Sequence, residues 1–185
     1  MRKEWLAPLA ITLAMGGCGG PPPVFDCKPR SEDLPRCIEK TAGPAAPLLP
    51  GTSTHFVVDA MCEWNRSGVL LDHGGEYLIE SRDIGEEKWE DKGTKASPDE
   101  GWTDGMTFFD PPARWFARAR RIPMYALVAS QGPHGPVSLA SNGSVVQSKV
   151  ERGQPAIELL VYANDWVGFY SNNHGCLEVT VRRVR

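Results

Sequence analysis

Residues 157–182 read I-E-L-L-V-Y-A-N-D-W-V-G-F-Y-S-N-N-H-G-C-L-E-V-T-V-R. The run 157–163 is the strongest apolar run of the chain and reads as a strand. The run 177–182 alternates apolar and polar residues with period two, which marks a half-buried strand. Between them lies a loop, 164–175, rich in Asn and Gly. Working outward, further strands are expected at 55–60, 69–71, 76–81 and 124–129 (M-Y-A-L-V-A), with a short one at 114–118 between prolines. Residues 137–139 and 145–146 flank Ser141-Asn142-Gly143, a hairpin signal. No segment keeps a helical period, and no repeat recurs at solenoid spacing. The 185 residues include Gly 19 and Pro 16, more breakers than a helix bundle tolerates. The expected fold is all-β, a sandwich or barrel of short strands.

The N-terminal part has a different texture. Met1-Arg2-Lys3 is followed by an apolar run, 5–15, and then by Gly16-Gly17-Cys18. A basic start, an apolar segment and small residues before a cut describe a secretory signal peptide over 1–17. A Cys directly after two glycines resembles a bacterial lipobox, which implies lipidation of Cys18 and anchoring through its acyl chains. Gly19, not Asp, follows, and by resemblance to known sorting behaviour this favours the outer membrane. Residues 18–52 hold eight prolines, at positions 21, 22, 23, 29, 35, 44, 47 and 50, and read as a semi-rigid tether. The β domain is then 53–185. The membrane is met through the lipid only, since nothing is long and apolar enough to span as a mature helix. A net charge of −3 argues against a nucleic-acid partner.

The five cysteines divide accordingly. With Cys18 acylated, four remain in a compartment where disulfides persist. Four cysteines allow three pairings. Cys27 with Cys37 is expected from their nearness, leaving Cys62 with Cys176 to tie the start of the domain to its last strand. Zinc is set aside because no CxxC or CxxH spacing exists.

The loop 164–175 carries the chemistry. It offers one carboxylate, Asp165, and the carboxamides of Asn164, Asn172 and Asn173 within ten residues. Hard cations such as calcium take six to eight oxygens of this mixed kind. Gly168 and Gly175 permit the tight folding that convergence needs. Asn and Asp in such loops also serve as plain turn formers. The order N-D-x-x-G-x-Y-x-N-N-x-G, followed by an alternating strand, resembles the family of calcium-dependent galactose-binding lectins known from Pseudomonas. The resemblance covers roughly residues 54–185. It implies a jelly-roll-like β-sandwich, galactose-binding-domain-like, and a calcium site built from the side chains of Asp165, Asn172 and Asn173 and the carbonyl of Phe169. A further carbonyl is implied near Glu86 or Glu87. Two vicinal sugar hydroxyls complete the coordination in the family. A second match is Ser97-Pro98-Asp99-Glu100-Gly101, where the family has His-Pro-Asp-Gln-Gly and uses the His and Gln on the sugar. Ser97, Pro98 and Glu100 are therefore implied ligand contacts, with Asp165 and Asn172. Trp166 stands where the family has a small aliphatic beside the Asp, and either offers an aromatic face to a sugar ring or crowds the site.

Residues 83–100 carry seven acidic against three lysine side chains, either a solvated loop or one that shapes a cation or polyol site. Trp64 and Trp115 are expected in the core, and Trp89 and Trp102, beside the acidic loop, at a binding surface. Arg114, Arg118, Arg120 and Arg121 read as a polar strand face, or as a contact for anionic lipid. His174 reads as a loop residue. No HExxH or GxSxG motif is present. A glycosidase on Glu87, Asp99 and Glu100 would need a carboxylate pair across a cleft, and none is recognisable. The functional expectation is a non-catalytic, calcium-dependent carbohydrate-binding lipoprotein of the bacterial cell envelope. The competing reading is a structural or interaction sandwich in which calcium only stabilises the loop.

Overall fold

Short runs of β-branched and aromatic residues, broken by Gly, Pro and Asn, favour many brief strands over helices. The computed structural model describes residues 44–84 and 88–185. Its strands are β1 (Ala46–Pro47), β2 (Ser53–Asp59), β3 (Asn65–Leu71), β4 (Glu76–Ile84), β5 (Glu90–Asp91), β6 (Thr94–Ser97), β7 (Gly101–Trp102), β8 (Leu127–Gln131), β9 (Val137–Leu139), β10 (Ser144–Gln147), β11 (Ile157–Ala163), β12 (Asn173–His174) and β13 (Cys176–Arg183). A 3-10 turn (Gly105–Phe108) and a one-turn helix, α1 (Asp110–Ala113), lie between β7 and β8, and a 3-10 turn (Tyr170–Asn172) precedes β12. No described helix is long and apolar enough to cross a membrane.

Two sheets form the sandwich, in the orders β1-β3-β11-β8-β9 and β10-β4-β13-β2. The protein is thus an all-β sandwich. One core draws Phe56, Val58, Ile79, Val179 and Val181 from the second sheet and Val69, Leu71, Leu127, Leu159 and Val161 from the first. Each such side chain contributes about 1.5–3 kcal/mol on burial. β13 is antiparallel to β2 and β4, and along it Leu177, Val179 and Val181 point inward while Glu178 and Thr180 are more open. β8 and the last five residues of β11 are buried on both faces. Their outer side, Val128 and Tyr162, is covered by Ala119, Ile122, Ala126 and Tyr170. That cover explains why these two strands read as unbroken apolar runs. Residues of β1 run parallel to β3, and Leu48 packs against the core. A third, small sheet, β12-β5-β6-β7, caps one end of the sandwich and carries the site loops.

Three sequence expectations are corrected. Residues 114–118 form no strand. Proline is favoured in the first turn of a helix, and Pro111-Pro112 starts α1 behind Asp110, which accepts a hydrogen bond from Met124 N at 2.6 Å and pairs with Arg114. Only an isolated bridge, Ala117 to Trp166, follows. The turn at Ser141-Asn142-Gly143 makes no hairpin, because β9 pairs with β8 and β10 with β4. It carries the chain between the sheets, held by Asn142 N donating to Asp99 Oδ1 (2.7 Å) and Asn142 Oδ1 accepting from Ser81 N (2.6 Å). The tryptophans exchange places: Trp89 and Trp102 are buried, whereas Trp115 is 73% exposed. Trp89 donates its indole N–H to Tyr125 O at 2.9 Å, an inward anchor that the acidic neighbourhood hid. Trp64 is partly buried against Tyr162.

Candidate cation and ligand site

The loop after β11 begins with a brace. Asn164 is fully buried, its Oδ1 accepting from Ala119 N (3.0 Å) and its Nδ2 donating to Ala119 O (3.1 Å), Ile122 O (2.8 Å) and Pro123 O (3.1 Å). Every polar atom of that side chain is thereby committed to the 119–123 segment, so its carboxamide oxygen is unavailable as a ligand. This segment is the floor on which the loop turns.

Asp165 and Asn173 face each other's surroundings with atoms to spare. Asp165 is 4% exposed, and its Oδ1 accepts from Trp166 N at 2.6 Å while Oδ2 is buried without a partner. Asn173 is fully buried, its Nδ2 donates to Ala60 O at 3.1 Å, and its Oδ1 also has no partner. Burial pushes the Asp165 carboxyl up to about 6, and the charge of Asp91 adds to the shift. A buried oxygen left without a donor costs about 1–3 kcal/mol. Two of them in adjacent side chains need a compensating group.

Asp91 is the member of the site that sequence reading placed only within an acidic stretch. The small sheet sets β12 against β5, with Asn173 opposite Asp91. Asn172 Nδ2 donates to Asp91 Oδ1 at 2.6 Å, and Asn172 O accepts from Lys92 N at 3.1 Å. Burial raises the Asp91 carboxyl above its ordinary value, opposed by the Trp102 side chain and then by the Asn172 hydrogen bond. Beneath lies Tyr125, fully buried with a left-handed backbone (φ 66°), its N–H donating to Asn164 O at 2.6 Å. Its hydroxyl accepts from His174 N at 3.2 Å. Burial, and then the nearby Asp91, hold that hydroxyl well above its usual range. His174 is thus fixed through its backbone in the short strand β12, opposite Glu90, where the sequence suggested a loop.

Gly175 is required by contact as well as by φ. Its φ is 103°, and a Cβ there would stand 2.6 Å from Lys88 O and 2.7 Å from Trp89 Cα. Gly175→Ala is expected to lower stability by about 2–4 kcal/mol, from backbone strain and overpacking together. The denaturant midpoint measures it, and a loss under about 0.5 kcal/mol would mean that the two loops are free to part.

The remaining predicted residues fall as follows. Phe169 stands between Asp165 and the 3-10 turn, its N–H donating to Trp166 O at 3.0 Å and its side chain exposed. The Trp166 indole N–H donates to Ala113 O at 2.9 Å, and the ring sits between Phe116 and Phe169, with centroids at 5.4 Å from each. Ser97 ends β6, and its Oγ accepts from Asp99 N at 3.2 Å. Pro98 O accepts from Leu127 N at 2.8 Å, and a Cβ on Gly101 (φ 80°) would stand 2.2 Å from Met124 O, so the Pro-Asp-Glu-Gly turn is pinned to β8 and its approach. Glu100 is exposed. No hydrogen bond among the described residues joins Ser97, Pro98 or Glu100 to the Asp165–Asn173 pair, and the two loops are linked through the small sheet and the 122–127 segment to which both are bonded. Glu86 and Glu87 lie outside the described residues, as do Cys18, Cys27 and Cys37. Cys62 and Cys176 are both buried and both disulfide-bonded.

Calcium suits this donor set. The orphaned oxygens of Asp165 and Asn173 and the carboxylate of Asp91 are hard ligands. Among the described residues no group of three or more His, Cys, Asp or Glu side chains is arranged for a metal, so amide and carbonyl oxygens must supply much of any coordination.

Fold and loop together define an all-β sandwich with a buried, oxygen-rich loop at one end. No family model and no curated protein matches the chain. A solved structure described as the EclA N-terminal domain, a PllA-like lectin, is similar over 70% of this chain and 94% of that chain, at 23% identity and a TM-score of 0.42. That likeness is too slight to carry a function.

Proposed function

We propose that the domain is a non-catalytic, calcium-dependent carbohydrate-binding module. The observation that carries this reading is the pair of buried, unpartnered oxygens, Asp165 Oδ2 and Asn173 Oδ1, at the two ends of one loop. Asp165, Asn172, Asn173 and the Phe169 carbonyl hold the cation, with Asp91 orienting the Asn172 amide so that its carboxamide oxygen turns away from the Asp91 side. Calcium, when bound, supplies coordination positions that two vicinal sugar hydroxyls can fill. Asp165, ionised above about 6, balances the charge of the ion. Ser97, Pro98 and Glu100 border the sugar, and the Trp166 ring offers an apolar face. The ligand class is a sugar with vicinal hydroxyls, galactose among the candidates. The same reading has the chain exported to the bacterial envelope, anchored by lipid on Cys18 at the outer membrane, lifted by the part of the 18–52 tether that precedes β1, since β1 and Leu48 belong to the sandwich, and closed by Cys27–Cys37 and Cys62–Cys176 bridges. It draws on the N-terminal sequence and on its Cys spacing.

A structural role for calcium is the second reading, favoured by the near-complete burial of Asp165 and Asn173. Asn172 and Phe169, both more open, form the side on which a sugar would have to approach.

Calorimetry separates these. Calcium is expected to bind at pH 7.5, followed by vicinal-diol sugars only in its presence. Below about 6 the Asp165 carboxyl is protonated and must lose its proton for calcium to bind, so affinity falls as pH drops below that value. Absence of calcium heat sinks both readings. Calcium binding with no hit on a glycan array leaves the structural one.

A further inference from the structure

The aromatic residues that sequence reading assigned elsewhere gather beside the loop. Seven of the eleven large exposed hydrophobic side chains lie within residues 106–116 and 167–169. Phe108 is 81% exposed, Trp115 73% and Phe116 71%. Phe108 packs edge-on to Phe109 at 5.4 Å, and Phe116, Trp166 and Phe169 form a chain of edge-to-face rings at 5.4 Å steps. Exposed apolar patches of this kind mark interaction sites.

The patch is held out from a rigid base. Asp110, itself buried, ties α1 to Met124 N, and the Trp166 indole ties Ala113 to the loop. The arginines alongside divide into two pairs. Arg114 is paired with Asp110, and Arg118 with Glu63 while lying 4.3 Å over the Trp64 ring. Arg120 and Arg121 are exposed and form no salt bridge among the described residues. They stand out as free cations in a chain whose net charge is −3.

We propose that this face seats on a bilayer surface bearing anionic phospholipid headgroups. Four of the six rings named are phenylalanines, whose edges have no hydrogen-bonding group to meet sugar hydroxyls and fit hydrocarbon instead. Tryptophan suits the boundary between hydrocarbon and headgroups. The two free arginines suit the headgroup phosphates, each worth about a fivefold gain in binding near an anionic leaflet. A second copy of the chain fits less well, because a face-to-face pair sets these arginines against their own kind.

Hydrogen–deuterium exchange on the full chain tests this, with Cys18→Ser to exclude acyl groups and EDTA to exclude the cation site. Vesicles of phosphatidylcholine with phosphatidylglycerol are expected to slow exchange in 106–121 at least about threefold, since burial there removes water from the amides. Vesicles of phosphatidylcholine alone are not. Arg120→Glu with Arg121→Glu should raise the lipid concentration for half-protection at least about 25-fold, two fivefold factors, with the thermal midpoint unchanged. Three results would overturn the proposal. These are no slowing in 106–121 with anionic vesicles, slowing that grows with protein concentration alone, and slowing produced by calcium with galactose but not by vesicles. Because EDTA is present, a failed vesicle test leaves the carbohydrate reading untouched, and a failed calcium titration leaves this one.

Discussion

Asp165→Asn removes calcium binding and, in the cation-free protein, raises stability. The two effects have opposite signs because one carboxylate is both the principal charge for the ion and a buried liability without it. Its oxygen Oδ2 has no partner and the side chain is 4% exposed. The carboxyl is raised from its ordinary 3.8 to about 6 in the fold. A carboxyl whose pKa is higher folded than unfolded contributes stability that is full below about 4 and lost as pH rises through about 6. At pH 7 the cation-free protein therefore carries a penalty of roughly 1–3 kcal/mol at this residue, at about 1.4 kcal/mol per unit. Asparagine removes the charge and with it the cost of burying that charge. The cation-free thermal midpoint is expected to rise by a few degrees, while calcium affinity drops by about 100-fold or more, since even outer-shell changes cost roughly 10–100-fold. Calcium-induced shifts in the midpoint should vanish with it. A variant that still shifts with calcium would place the ion elsewhere, and one destabilised without calcium would make Asp165 a structural hydrogen-bond acceptor only.

The largest loss of stability is expected at the neighbouring residue. Asn164→Ala deletes four buried hydrogen bonds to the 119–123 segment. Ala119 O and Pro123 O keep other partners, from Ile122 N and Ala126 N. Ala119 N–H and Ile122 O are left with the full cost of desolvation, about 1–3 kcal/mol each. With the cavity included, the loss is roughly 3–5 kcal/mol, against a typical total of about 5–15 kcal/mol. The thermal midpoint is expected to fall by at least about 10 °C. Asn164→Asp should fail similarly, since a carboxylate cannot make the three donations that Nδ2 makes. A fall of less than about 2 °C would show that the segment is held by other contacts. Below its midpoint the Ala variant should still bind one calcium, which separates a brace from a ligand.

These two residues stand side by side in sequence, and their roles differ for a reason invisible there. Both were offered as oxygen donors by the residue types of one loop. Asn164 points back onto 119–123, and Asp165 forward onto Asn173 and Asp91. Which way each faces depends on where β11 stops against β8, and register is a property of the pair of strands, not of either one. The same holds for the aromatic residues. Trp89 lies among charged residues and Trp115 beside apolar ones, yet the first donates inward to Tyr125 O and the second stands on an outward turn after α1. The expected hairpin at 137–146 failed likewise, because its turn residues satisfy Asp99 and Ser81 from distant segments.

The sequence by itself determined the all-β class, the half-buried last strand and the apolar strand before it. Alternation and apolar runs are set by which faces a strand buries, and they are written residue by residue. It also determined the loop with Asp165, Asn172 and Asn173, since those residues lie within one short segment. Only the tertiary structure decided that Asp91, 81 residues from Asn172, reaches it, that Asn164 braces, and that Phe116 packs against Trp166 beside Phe169. Those contacts depend on sheet register and on the crossing of distant strands, which no local pattern encodes.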